Sequence, residues 1–103
     1  MKKLVFFVPV DDAQEVKEVI FNAGAGTIGN YDKCSFETEG IGQFRPNNQA
    51  NPHIGESGII EKVRELKVET ICPDDKVKEV IKALRTAHPY EEPAIDLYEL
   101  VNF

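Results

Sequence analysis

The sequence predicts an α+β sandwich of order βαββαβ, with two helices laid on one face of a single sheet. Three observations carry this reading. A pentapeptide occurs twice, as Val16-Lys17-Glu18-Val19-Ile20 and as Val77-Lys78-Glu79-Val80-Ile81, each time after an Asp-Asp pair. A β-rich run precedes and follows each copy, so the unit duplicated is strand–helix–strand. The 103 residues, 42% hydrophobic and 29% charged, fit one domain covering 1–103. A chain of that size buries roughly two-thirds of its unfolded surface, enough for a core without disulfides.

The first strand is expected at about 2–9, where Leu4, Val5, Phe6, Phe7 and Val8 are apolar on both faces. The opening Met1-Lys2-Lys3 followed by apolar residues resembles a secretion signal. The run is short, broken by Pro9, followed by Asp11-Asp12 and lacks a small-residue cleavage site, so a strand and a cytoplasmic location are expected. The first helix is expected over about 12–23. Val16, Val19, Ile20 and Ala23 fall at i, i+3, i+4 and i+7, one face of a helix. Asp11-Asp12 offers an N-cap, and Gly24 and Gly26 offer the left-handed conformation that ends a helix.

The second strand is expected at 28–38 and the third at 59–72. In the third, Leu66, Val68, Thr70 and Cys72 alternate with Glu65, Lys67, Glu69 and Ile71, one face buried and one wetter. The second helix, about 74–87, repeats the apolar face with Val77, Val80, Ile81 and Leu84. It stops before Pro89, because the residue preceding proline resists helix. The fourth strand is expected at 94–101, and Pro93 at its start suits an edge. Residues 39–58 form a long polar connection in which Gly40-Ile41-Gly42-Gln43-Phe44 could add a short strand.

Together these elements predict a ferredoxin-like sandwich. Two helices cover only one side of such a sheet. Either Val5 and Phe7, or Leu4, Phe6 and Val8, then need another cover, and a second copy of the chain is the simplest. A homo-oligomer is therefore expected.

The formal net charge of −6 is spread evenly, with eight acids to five bases in 1–59 and ten to seven in 60–103. No cationic footprint for nucleic acid is visible. No apolar run reaches the ~20 residues of a membrane span. Cys34 and Cys72 do not make a disulfide scaffold and read as reduced, buried strand residues.

Gly24-Ala25-Gly26-Thr27-Ile28-Gly29 matches G-x-G-x-x-G, but it follows a helix and opens a strand. The dinucleotide fingerprint does the reverse, meeting the pyrophosphate with a helix N-terminus. Here the negative end of the helix dipole lies nearby, so the segment reads as a cap and turn. His88-Pro89-Tyr90-Glu91-Glu92-Pro93 is more distinctive. Its prolines stiffen a corner that presents an imidazole, a phenol and two carboxylates. Those groups suit a cation or a polar ligand; the alternative is a rigid structural corner with its glutamates in solvent. His53, Glu56, Cys34 and His88 are the residues able to ligate a metal, in no recognised zinc spacing. Ser35 and Ser57 lie in no nucleophile elbow. Arg45, in the long connection, suits an anion or simply solvent.

These same stretches carry a resemblance. Gly24 through Tyr31, the Gly40, Gly42 and Phe44 stretch, Pro52-His53-Ile54-Gly55 and His88 through Ala94 together resemble the YqfO-type, Nif-three-like family, over essentially the whole chain. In longer family members this region looks like a domain inserted into a larger metal-binding domain. The resemblance implies a stand-alone version without the larger domain's paired-metal site or its GTP cyclohydrolase-homologue label. The inserted domain resembles the trimeric CutA and PII folds, and His88-Pro89-Tyr90-Glu91 looks like the HPYE segment of CutA, a protein linked to divalent-cation tolerance.

The expectation is a non-enzymatic, PII/CutA-like homotrimer that binds a small molecule or divalent cation between subunits, through loop 39–58 and corner 88–93. His88, Tyr90, Glu91, Glu92, Arg45 and Asn30 are the candidate ligand residues, with His88 and Glu91 as contacts, Tyr90 as wall or donor and Arg45 as anion contact. His53, Glu56 and His88 are the candidate metal ligands. The rivals are a metal-dependent hydrolase of the Nif-three kind and an interaction module acting through loop 39–58.

Overall fold

Alternation along the first strand decides which way the sheet faces. The computed structural model describes residues 1–102. Strand β1, Lys2–Pro9, turns Leu4, Phe6 and Val8 into the core, each with no exposed surface. It lies inside the sheet, antiparallel to β3 (Glu61–Cys72) on one side and to β4 (Ile95–Glu99) on the other. Strand β2, Ser35–Phe44, pairs with the free side of β3, giving the order β2-β3-β1-β4. Helices α1 (Ala13–Ala23) and α2 (Val77–Ala87) pack against each other. This is the expected ferredoxin-like arrangement. Val16 and Ile20 of α1 and Val80 and Leu84 of α2 meet Leu4, Phe6, Val8, Val68 and Cys72 in one buried cluster. Fully burying each of the larger side chains is worth roughly 1.5–3 kcal/mol.

The helix starts differ from expectation. Short 3-10 turns, Val10–Asp12 and Asp74–Lys76, precede the helices, and neither N-cap makes a side-chain capping bond. Asp74 instead meets the N-terminal amine at 2.9 Å, and that bond holds its carboxyl below the usual range. The helix ends are as read. Gly24 closes α1 at φ 122°, and His88 leaves α2 extended, at φ −68° and ψ 134°, just before Pro89.

The second strand is displaced from its expected place at 28–38. Residues 24–34 form a loop, in which Ile28 and Tyr31 make an isolated bridge with their side chains exposed. Gly26 anchors it: its N–H donates to Ile71 O at 2.8 Å, and its carbonyl accepts from Cys34 N at 2.8 Å. Gly26 sits at φ +88°, and a Cβ there would lie 2.9 Å from the Phe21 ring and 3.1 Å from Cys34 N. Gly26→Ala is expected to cost about 1–2 kcal/mol through left-handed strain and that crowding, read as a lower urea midpoint at constant slope. An unchanged midpoint would refute the anchoring role. Cys72 is buried as expected, whereas Cys34 is half-buried in this loop rather than in a strand.

Strand β2 then runs on through Gly40-Ile41-Gly42-Gln43-Phe44, in continuous register with β3 from Ser35↔Thr70 to Phe44↔Glu61. The connection expected at 39–58 is thereby shortened to 45–60. The long β2–β3 hairpin draws the molecule out to 46 × 25 × 24 Å. On the sheet face away from the helices, Val5 is 3% exposed and Phe7 half-buried in the single chain. Val5 lies between Glu69 and Asp96 in register, and Lys3 pairs with Glu69 at 3.1 Å. The expectation that Val5 lies bare without a second copy is therefore corrected. The exposed apolar groups of that face are instead Phe36 and Tyr98, at its two edges. Among the described residues no helix is long and apolar enough to cross a membrane.

Candidate functional site

Two connections that are remote in sequence meet at one end of the sheet. The 45–60 loop folds over the 88–94 corner, and the Asn51 N–H donates to Glu91 Oε1 at 2.8 Å. Beneath them lies a cavity of 410 Å3, within the size range of small-molecule pockets. Its walls include Phe7 from β1, Gly42, Gln43 and Phe44 from β2, Glu65 from β3, Arg45, Pro46, Pro52, His53 and Ile54 from the loop, and Tyr90, Glu91, Glu92 and Ala94 from the corner.

The corner is held from behind. His88 is 5% exposed, and both of its ring nitrogens are engaged. Nε2–H donates to Phe7 O at 2.6 Å, while Nδ1 accepts the Tyr90 N–H at 3.1 Å. This pattern requires the neutral ring protonated on Nε2. Burial pushes its pKa below the ordinary value of 6.5, against the opposing pull of the Phe7 carbonyl. Pro89 and Pro93 limit what else the corner can do. Tyr90 is thus carried forward into the cavity wall, where its ring meets Phe44 edge-on at 5.7 Å.

The phenol of Tyr90 donates to Glu65 Oε2 at 2.8 Å. Burial first, and then this bond, raise the Tyr90 pKa, so it stays a donor at any physiological pH. Glu65 is 9% exposed. Its carboxyl lies flat against Gly42, where a Cβ would fall 2.0 Å from Oε1. The glycine therefore makes the space that the carboxylate fills. Phe7, Gly42 and Glu65 also border a second cavity of 330 Å3 on the same sheet face, so the Glu65 carboxyl forms part of the wall between the two.

The structure brings Arg45, His53, Tyr90, Glu91 and Glu92 to one cavity. His88 stands behind that wall. Asn30, exposed in the 24–34 loop, and Glu56 lie outside it. His53, Glu56 and His88 are not gathered: among the described residues no three His, Cys, Asp or Glu side chains converge as a metal site would require. Sequence reading did not assign Phe7, Gly42, Phe44 or Glu65 to the site, although Gly42 and Phe44 lie in a stretch that carries the family resemblance. Their one available signal was the Gly40, Gly42 alternation, which puts two side-chain-free positions on one face of a strand.

No model of a known protein family matches the chain. A GTP cyclohydrolase 1 type 2 homolog of Halalkalibacterium halodurans is 49% identical over 100 residues, covering 97% of this chain and 27% of that protein. A Bacillus cereus protein related to NIF3 superimposes with a TM-score of 0.82 at 50% identity, over 98% of this chain and 26% of the other. The chain is a homologue of one segment of the NIF3-related proteins. It spans about a quarter of the length of the curated relatives it matches. CutA1 of Pyrococcus horikoshii shares the fold, with a TM-score of 0.71 at 17% identity over 100% of this chain and 86% of its own. The NIF3-related likeness covers both the β2–β3 hairpin and the 88–94 corner, so the elements that build the cavity belong to the shared segment.

Proposed function

We propose that this NIF3-related chain is a non-enzymatic, small-ligand-binding regulatory module, and that the cavity between the 45–60 loop and the 88–94 corner is its site. The observation that carries the reading is the convergence of side chains from β1, β2, β3, the 45–60 loop and the 88–94 corner on one concave space. Phe7 and Phe44 from the sheet and Tyr90 from the corner surround the space, and the two connections are joined across it through Asn51 and Glu91. Walls rich in rings, prolines and aliphatic groups support an organic occupant over a bare divalent cation, and binding over hydrolysis. The module is proposed to work as a homo-oligomer, a trimer on the CutA-like resemblance, with Phe36 and Tyr98 of the open sheet face buried between copies.

Indole is a suitable probe, since it is flat, neutral and fits the volume. It is expected to shift backbone amide resonances of residues 42–54 and 90–94 while leaving those of α1 and α2 in place. Ala94→Trp, which fills the cavity, is expected to abolish those shifts. Shifts spread over both sheet faces, or none at saturation, would overturn the site. Sedimentation tests the assembly: a single-chain mass at all micromolar concentrations would remove the oligomer.

A further inference from the structure

We infer that the cavity selects an organic cation, a compound whose ammonium or amidinium group sits on Glu65 while its apolar body lies against Phe7 and Phe44. The inference rests on the cavity being a binding site and adds the chemical class of its occupant. Glu65 is the deepest charged group in the wall, 91% buried by its 9% exposure. Among the described residues no buried side-chain oxygen lacks a partner, so Oε1 still meets water in the cavity, and the donors of this carboxylate come from the protein and from that water. The protein supplies one, the neutral Tyr90 hydroxyl, to Oε2. Among the described residues no lysine, arginine, histidine or backbone N–H bonds to Oε1, and Glu65 takes part in no ion pair.

Gly42 shows that this placement is built into the fold. Any side chain at position 42 would displace the carboxyl, since even a Cβ would lie 2.0 Å from Oε1 and 2.4 Å from Cδ. The Tyr90 bond pins Oε2 in turn, and His88 pins Tyr90. An acceptor oxygen held from two sides against a cavity is a recognition group for a donor. Charge points the same way: Glu65, Glu91 and Glu92 border the space, against Arg45 in the exposed loop. Phe7, Phe44 and Tyr90 present ring surfaces, which attract organic cations beyond their apolar area.

The test compares probes that share a ring and differ in charge: benzylamine, cationic at neutral pH, benzyl alcohol and benzoate, titrated into the full chain and followed by amide shifts of residues 42–54 and 90–94. Benzylamine is expected to bind about tenfold tighter than benzyl alcohol, with benzoate weakest, as for a charge-assisted bond to a carboxylate that exchanges cavity water for the ligand. E65Q keeps the shape and an acceptor for Tyr90. It is expected to remove that preference, bringing benzylamine to within about twofold of benzyl alcohol. Benzoate binding as well as benzylamine, or an undiminished preference in E65Q, would overturn the cation. The wild-type charge ranking decides even should E65Q fail to fold. If indole and benzyl alcohol bind but benzylamine gains nothing, the cavity stands and its selectivity for cations falls. If no probe binds, both fall.

Discussion

Gly42→Ala is expected to abolish indole and benzylamine binding while lowering stability by about 2 kcal/mol. The argument runs through one carboxylate. A methyl at position 42 would lie 2.0 Å from Glu65 Oε1, far inside contact distance, so the carboxyl must leave its seat. Glutamate is flexible enough to move, and the sheet survives. What does not survive is the Tyr90 bond. The phenol is left half-buried without its acceptor, and a lost bond to a charged group costs about 1.5–3 kcal/mol. With Tyr90 released, the ring that meets Phe44 and closes one wall loses its anchor. For a domain of this size about 1 kcal/mol moves the melting temperature by about 4–8 °C, so the loss is readily measured. Gly42→Ala combined with Glu65→Ala separates this account from a general defect of the strand. With the carboxyl gone the methyl has room, and the double variant is expected to lose less than the sum of the two single changes. Additive losses would mean that Gly42 acts through something other than Glu65.

That pairing also explains which parts of the molecule were legible in the sequence. The helices were, because Val16 and Ile20, and Val80 and Leu84, repeat a period that only a helix satisfies, and both pairs are buried. The second strand was not. Thr27, Ile28 and Tyr31 have the composition of a strand, yet Gly29 turns the chain at φ +56° and the hydrogen bonds of Gly26 tie the segment to the end of β3. Gly40-Ile41-Gly42-Gln43-Phe44 reads as a short strand added within a long connection and instead continues β2, because a neighbour decides pairing more than propensity does. The tertiary partner of each segment is the missing information in both cases.

The site divides along the same line. His88-Pro89-Tyr90-Glu91-Glu92-Pro93 stood out because two prolines make a local shape that needs no partner to define it. Three members of that corner line the cavity and a fourth, His88, supports it. Glu65 could not stand out. In sequence it is one more acid on the wet face of an alternating strand, beside Lys67 and Glu69. It becomes a buried group only when β2 is laid beside β3 and the 45–60 loop is folded across the corner. Arg45 and His53 were visible as chemistry without a place. Asn30 belonged to the segment whose strand was misplaced, and it stays outside the walls for that reason.

His88→Ala is expected to destabilise the chain by about 3 kcal/mol and to flatten the dependence of stability on acid. Truncation leaves the Phe7 carbonyl and the Tyr90 N–H without their partners and opens a void at a position 5% exposed. The pH effect follows from the direction of the shift. In the folded chain burial holds the His88 pKa below 6.5, while in the unfolded chain it titrates near that value. Between the two, the unfolded chain binds a proton that the folded chain refuses. Stability from the neutral ring is therefore fully present above the unfolded value, and is lost as pH falls through the folded one. Protonation also turns Nδ1 from acceptor to donor, facing it against the Tyr90 N–H it now receives. The groups that oppose this are the Phe7 carbonyl and the charges of Glu65 and Asp12, which favour the cation and limit the shift. Urea midpoints measured from about pH 7.5 to about pH 5 are expected to fall in the wild type and to fall less in His88→Gln. A slope that persists undiminished in His88→Gln would place the acid-sensitive group away from the corner, and would leave the corner with a purely steric hold on Tyr90.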